Sequence, residues 1–144
     1  MELFSLKDKV AIVTGACGLL GTQHCEALAA AGAQVVAADL DEKASGAVAT
    51  RLGSGHIGVG MDVTSTASLQ AVRQRIMDRY GRIDVLVNNA AINDMFENPA
   101  LAAHQSMFEH YPLDAWDRSW RVNVSGVFFM LAGIGRSYGG AGVG

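Results

Sequence analysis

Apolar and polar positions along the chain switch repeatedly between two patterns. "KVAIVTG" (9–15) is a short, nearly continuous apolar run closed by Gly, the pattern of a buried strand. "GLLGTQHCEALAAAG" (18–32) follows with good helix formers and a stop expected at Gly32. "AQVVAADL" (33–40) returns to β-branched and small apolar residues. Asp41 and Glu42 then open a helix through Leu52, with Gly53 as its stop. "HIGVGMDV" (56–63) reads as a third strand. Thr64 or Ser65 caps the next helix, in which Leu69, Val72 and Ile76 fall at helical spacing before Gly81. "RIDVLVNNA" (82–90) reads as a fourth strand. Strand and helix thus alternate with short connections, which implies right-handed crossovers and a parallel sheet.

The rhythm changes at residue 92. "INDMFENPALAAHQSMFEHYP" (92–112) is a long mixed connection with Pro99 and Pro112, and a loop of this length is more often functional than filler. From Leu113 the pattern predicts one long helix over 113–132, with Asp114 near its positive end. Val122, Val127 and Met130 are expected to face the sheet. Six of the last twelve residues are Gly, so the helix is expected to fray after Ala132 into coil. The fold class that follows is α/β: a Rossmann-like doubly wound parallel sheet, ending after about four strands and a long fourth helix. One domain spans 1–132, with a Gly-rich tail over 133–144.

Composition narrows the partners. The chain has 144 residues, half of them hydrophobic, as expected for one soluble domain that buries roughly 70% of its unfolded surface. Net charge is −3 and no Lys/Arg cluster is present, which argues against nucleic acid or an anionic membrane as partner. No run approaches the roughly 18 apolar residues of a membrane span, and the N-terminus lacks the charge order of a signal peptide. Cys17 and Cys25 have neither metal-site spacing nor a disulfide framework, so a cytoplasmic location is expected.

The chemistry concentrates in "TGACGLLG" (14–21), where the first strand runs into a helix through Gly15, Gly18 and Gly21. Such a turn lets the backbone approach a pyrophosphate, and the helix N-terminus directs free amides at the anion. Asp39 ends the second strand about 20 residues on, where a carboxylate accepts from a ribose 2′-hydroxyl. It would repel a 2′-phosphate, and no Arg or Lys sits in the turn or directly after Asp39. NAD is therefore favoured over NADP. The lack of a Lys-Ser/Thr pair after the glycines excludes a phosphate-loop NTPase.

Residues 8 to about 132 resemble the N-terminal half of a short-chain dehydrogenase/reductase. The resemblance rests on "TGACGLLG", "MDVTS" (61–65), "DVLVNNAA" (84–91) and "RVNVSGVF" (121–128), in the family's order. One departure is visible: Leu19 stands at the family's usual second glycine position, with Gly18 one residue earlier. The resemblance implies a cofactor site built from Gly15, Cys17, Gly18, Leu20 and Gly21, with Asp39 and Leu40 at the ribose. It places Asp62 and Val63 at the adenine, and Asn89, Ala90 and Ala91 along the cofactor ribose, with Val122 nearby. Asn88 is expected to tie neighbouring strands together. Asn123 matches the family's helix Asn, which supports an ordered water in the proton relay, and is the one catalytic position carried over. No metal is implied.

The family's reaction interconverts secondary alcohols and ketones, using a Tyr with a Lys four residues on and a Ser on a preceding strand. Tyr138 has Gly142 at the Lys position and follows Asn123 by only fifteen residues, and no Lys occurs after Lys43. Tyr138 is thus not that tyrosine. The resemblance covers about half of a family member, so the chain is expected to hold the cofactor segment without the catalytic pair and to be inactive alone. Its partners would be NAD(H) and, by family only, an alcohol or ketone, with an oligomer possible through helix 113–132. The alternative is a non-catalytic NAD-binding or protein-interaction module, and a methyltransferase-like Rossmann domain is a third reading. Cys17 also reads as a small space-filler beside the turn. His24, Cys25, His104, His110, Trp116 and Trp120 carry no assigned function.

Overall fold

The computed structural model describes residues 4–93 and 107–135. Four strands form one sheet: β1 (Val10–Thr14), β2 (Gln34–Asp39), β3 (Ile57–Gly60) and β4 (Val85–Val87). Their order is β3-β2-β1-β4 and every pairing is parallel. The chain moves outward from β1 to β3 and then returns to β1's other side, so the order reverses between β1 and β4. That reversal opens a crevice beyond the carboxyl ends of the strands.

Helices α1 (Leu19–Ala30), α2 (Glu42–Leu52) and α3 (Thr66–Tyr80) form the crossovers. Their ends follow the sequence signals. The Asp41 side chain accepts from the amides of Lys43 and Ala44, and Ser65 accepts from Ser68. Gly81 closes α3 in the left-handed region. Of the two caps considered for α3, Ser65 is the one used.

Two hydrophobic layers sandwich the sheet. Ala11, Val13, Val35 and Ala37 meet Cys25 and Val48 on the α1/α2 side. On the other side Ile12, Val36 and Val59 meet Leu69, Val72 and Ile76 of α3, with Met130 and Ile134. Alternation along each strand sends successive side chains to opposite layers, and both layers are apolar because helices cover both faces. The fold is thus a Rossmann-like α/β sheet.

After a short 3₁₀ turn at Phe108–His110, α4 (Leu113–Trp120) passes through a π-helical turn at Arg121–Ser125 into α5 (Gly126–Ile134). The single long helix predicted over 113–132 is therefore interrupted. Within the turn the Gly126 amide reaches back five residues to the Arg121 carbonyl. The helix also continues two residues past Ala132, because Ile134 is fully buried in the core. Val127 is only half-buried and lies outside the core clusters, whereas Val122 packs against one of them. Strands β3 and β4 are shorter than their apolar runs suggested. Trp116 and Trp120 stack on one another at 5.8 Å and are half exposed, so they are not core residues. Tyr138 and most of the long loop, including His104, lie outside the described residues.

Candidate functional site

The crevice holds a cleft of about 670 Å³, within the usual range for small-molecule sites. Its floor is the β1–α1 turn. Gly15 has φ +64, and a Cβ there would lie 2.9 Å from the Ala90 Cα. At Gly21 a Cβ would lie 2.0 Å from the Gly15 carbonyl oxygen. Both positions therefore exclude a side chain for reasons internal to the fold. Gly18 differs: it caps α1 in extended backbone, and a Cβ would meet only the Gly15 oxygen at 3.3 Å.

The start of α1 is open to an anion. The Gly18 amide donates to the Gly15 carbonyl, and the first bond of the helix runs from Thr22 to Gly18. The amides of Leu19, Leu20 and Gly21 thus precede the helix's own hydrogen-bond ladder and stand at its positive end.

Asp39 organises the facing wall. One carboxylate oxygen accepts from the Cys17 amide at 2.9 Å, and the other accepts from the Leu40 amide at 2.8 Å. A carboxylate has about four acceptor sites, so capacity remains for hydroxyl donors in the cleft. Cys17 does not line the cleft. Its Sγ lies 3.7 Å from Ser45 Oγ, against the α1/α2 layer. What Cys17 adds to the turn is its amide, already engaged by Asp39. Burial raises the Cys17 thiol, and burial pushes Cys25 up to about 11, so both are protonated at neutral pH.

Asp62 begins a tight turn, with Oδ1 accepting from both the amide and the hydroxyl of Thr64. Val63 lines the cleft but is buried, and α5 approaches it so closely that a Cβ at Gly126 would lie 2.9 Å from its Cγ2. Val122 reaches the cleft from the π turn.

One sequence assignment is corrected by the β1–β4 junction. Asn89, not Asn88, ties the strands together: its Nδ2 donates to the carbonyls of Thr14 and Gly15 at 3.0 and 3.1 Å. Asn88 is exposed. Thr14, which sequence reasoning passed over, is the centre of this junction. Its buried Oγ1 accepts from the Asn89 and Ala90 amides at 3.0 and 2.9 Å and donates to the Val87 carbonyl. Asn89, Ala90 and Ala91 all line the cleft.

Asn123 sits in the middle of the π turn and outside the cleft lining. Its amide side chain pairs twice with the Ile92 backbone, accepting at 2.8 Å and donating at 3.0 Å. That pair fixes the segment leaving β4 against the helix. The structure therefore shows Asn123 as a positioning residue for Ile92, which lines the cleft together with Asn93.

The remaining cleft residues were missed by sequence reasoning. Ala38 and Met61 precede the motif residues Asp39 and Asp62, and Leu19 was marked only as a departure from the usual turn. Among the described residues no group of three or more His, Cys, Asp or Glu side chains is placed to hold a metal. None of the described helices is long and apolar enough to cross a membrane.

Comparison with known proteins agrees with this geometry. A model of the short chain dehydrogenase family matches residues 9–142. D-threitol dehydrogenase of Mycolicibacterium smegmatis is 35% identical over 136 residues, covering 92% of this chain and 48% of that protein. The NAD-dependent glycerol dehydrogenase of Listeria innocua is 31% identical, with the same two coverages. A solved structure of a glucose/ribitol-type short-chain dehydrogenase/reductase from Brucella melitensis superposes with a TM-score of 0.81 at 27% identity, covering 94% of this chain and 54% of that one. The chain thus spans about half the length of these relatives. With the sheet order, the glycine turn and the family match in agreement, the chain belongs to the short-chain dehydrogenases.

Proposed function

We propose that the cleft binds NAD(H), and that the chain is the cofactor-binding segment of an oxidoreductase interconverting secondary alcohols and ketones. The observation that carries this reading is the pairing of a side-chain-free cradle at Gly15 and Gly21 with the Asp39 carboxylate on the facing wall. The amides of Leu19, Leu20 and Gly21 would hold the diphosphate. Asp39 would accept from the adenosine ribose hydroxyls, with Leu40 beside it, and Asp62 Oδ2 would accept from the adenine amine. Ala90 and Ala91 would border the second ribose. Bound NAD supplies the hydride acceptor or donor. Asn123 would act through Ile92, which it holds at the cleft wall. The names of the relatives, D-threitol, sorbitol and NAD-dependent glycerol dehydrogenase, support a polyol-like alcohol as substrate class and NAD as cofactor.

The chain contains no Lys beyond Lys43, so it has no Tyr-x-x-x-Lys pair to exchange the alcohol proton. We therefore expect binding without turnover by this chain alone. Calorimetric titration with NADH and NADPH tests the reading, using wild type and Asp39→Asn. Asn keeps an oxygen for the Cys17 amide while removing the charge. Wild type should bind NADH about tenfold or more tighter than NADPH, and Asp39→Asn should narrow that gap. Failure of either dinucleotide to bind saturably would overturn the proposal, as would preference for NADPH. Tight S-adenosylmethionine binding in their place would favour the methyltransferase-like reading instead.

A further inference from the structure

The chain's fold requires glycine at two positions of the turn and has no need of one at residue 19. Leu19 is the first residue of α1, is 88% exposed, and lies outside both core clusters. In turns of this kind a glycine at the second position serves the ligand, because it lets a pyrophosphate come close to the backbone. A leucine there consequently acts on what enters the cleft and not on the chain. Leu20 at 63% exposed and Leu40 at 76% exposed line the same cleft. A single exposed leucine needs no explanation, but three on one cleft, from two different turns, form an apolar feature with a place.

We propose that Leu19, with Leu20 and Leu40, forms an apolar collar that closes over the diphosphate and adjoining ribose of the bound dinucleotide. This deepens the NAD(H) reading of the cleft and rests on it. The phosphate contacts come from backbone amides at the start of α1, which are open to water before binding. Hydrogen bonds from amides to an ionised oxygen strengthen as water is excluded, since the local dielectric falls. An isobutyl group at residue 19 supplies that exclusion and loses its own contact with water in doing so. Glycine supplies neither. Leu19 is therefore a determinant of affinity that also weakens the influence of salt on the phosphate contacts.

The test is a calorimetric titration of the 144-residue chain with NADH at about 20 mM and about 500 mM salt, a range over which exposed charges become strongly screened. Wild type is compared with Leu19→Gly, Leu19→Ala and Leu40→Ala. Leu19→Ala retains good helix propensity, so it stays informative if the glycine variant folds poorly. Each variant should bind NADH about fivefold to tenfold more weakly than wild type. The Leu19 variants should also lose more affinity than wild type on going to high salt. Unchanged affinity and salt response in Leu19→Ala, or tighter binding by Leu19→Gly, would overturn the collar and leave the NAD(H) reading standing. Absence of NADH binding by wild type would overturn both.

Discussion

Thr14→Val is the sharpest test of how the site is held. Val matches Thr in shape and β-branching, so the change removes one hydroxyl from a fully buried position and leaves β1 otherwise intact. That hydroxyl is the acceptor for the Ala90 amide at 2.9 Å. It also accepts from the Asn89 amide at 3.0 Å, which shares its hydrogen with the Val87 carbonyl at 3.1 Å. The variant therefore strands one amide completely and another in part. Leaving a buried donor unsatisfied costs about 1–3 kcal/mol, so a total of about 2–3 kcal/mol is expected. Against a typical stability of about 5–15 kcal/mol this is a large fraction. For a chain of this length it corresponds to a fall in Tm of about 5–12 °C. Thermal and urea unfolding followed by circular dichroism measure it, with Thr14→Ser as the control that restores the acceptor. NADH affinity should fall as well, since Ala90 borders the cleft. A Thr14→Val midpoint within about 0.5 kcal/mol of wild type would refute the argument that this hydroxyl fastens β4 to β1.

Other expectations follow from single contacts. Gly21→Ala forces a methyl group to 2.0 Å from a backbone oxygen and should cost about 3 kcal/mol or more along with NADH binding, whereas Gly18→Ala, at 3.3 Å, should cost less than about 1 kcal/mol; paired urea titrations compare them. Asp84 accepts from Arg82 and from the Val10 amide, and the Arg82 contact first of all holds its carboxyl below the usual 3.8. Its stabilisation is therefore complete above about pH 3.8 and is lost as pH falls through the lower folded value; Asp84→Asn should reduce stability at pH 7 by about 1 kcal/mol and flatten the acid limb of the pH–stability curve. His56 accepts from the Val35 amide through Nδ1 at 3.0 Å, and burial lowers its pKa below 6.5. Its neutral form is the one the fold prefers, so stability is retained above pH 6.5 and falls as pH drops below it. Denaturant midpoints at about pH 7.5 and 5.5 should separate wild type from His56→Gln, whose midpoint should change less.

Local chemistry made much of this fold legible in the sequence. Asp41 and Ser65 lie before helical runs and cap them, and Gly53 and Gly81 lie after such runs and close them. The alternation of short apolar runs with helical ones determined the parallel order before any contact was known. What stayed hidden depends on pairs far apart in the chain. Asn88 and Asn89 are indistinguishable by composition, and only the approach of β4 to β1 decides which side chain meets Thr14 and Gly15. The π turn was equally unreadable, since "RVNVSG" carries neither Pro nor a tandem of glycines to mark a break. It coincides with the double pairing of Asn123 to Ile92, a contact spanning 31 residues. Leu19 was visible as a departure in the motif, but its meaning came from its exposure and its place on the cleft.

The account's central claim is that the β1–β4 crevice is a dinucleotide site. Amide resonances of the isotopically labelled chain, followed by nuclear magnetic resonance during NADH addition, test it most directly. The account predicts saturable shifts concentrated at Gly15, Leu19 to Gly21, Leu40, Asp62 and Ala90, with residues at the opposite end of the sheet, such as Gly53 and Gly55, unmoved. Shifts absent at saturating NADH, or centred away from the glycine turn, would contradict it.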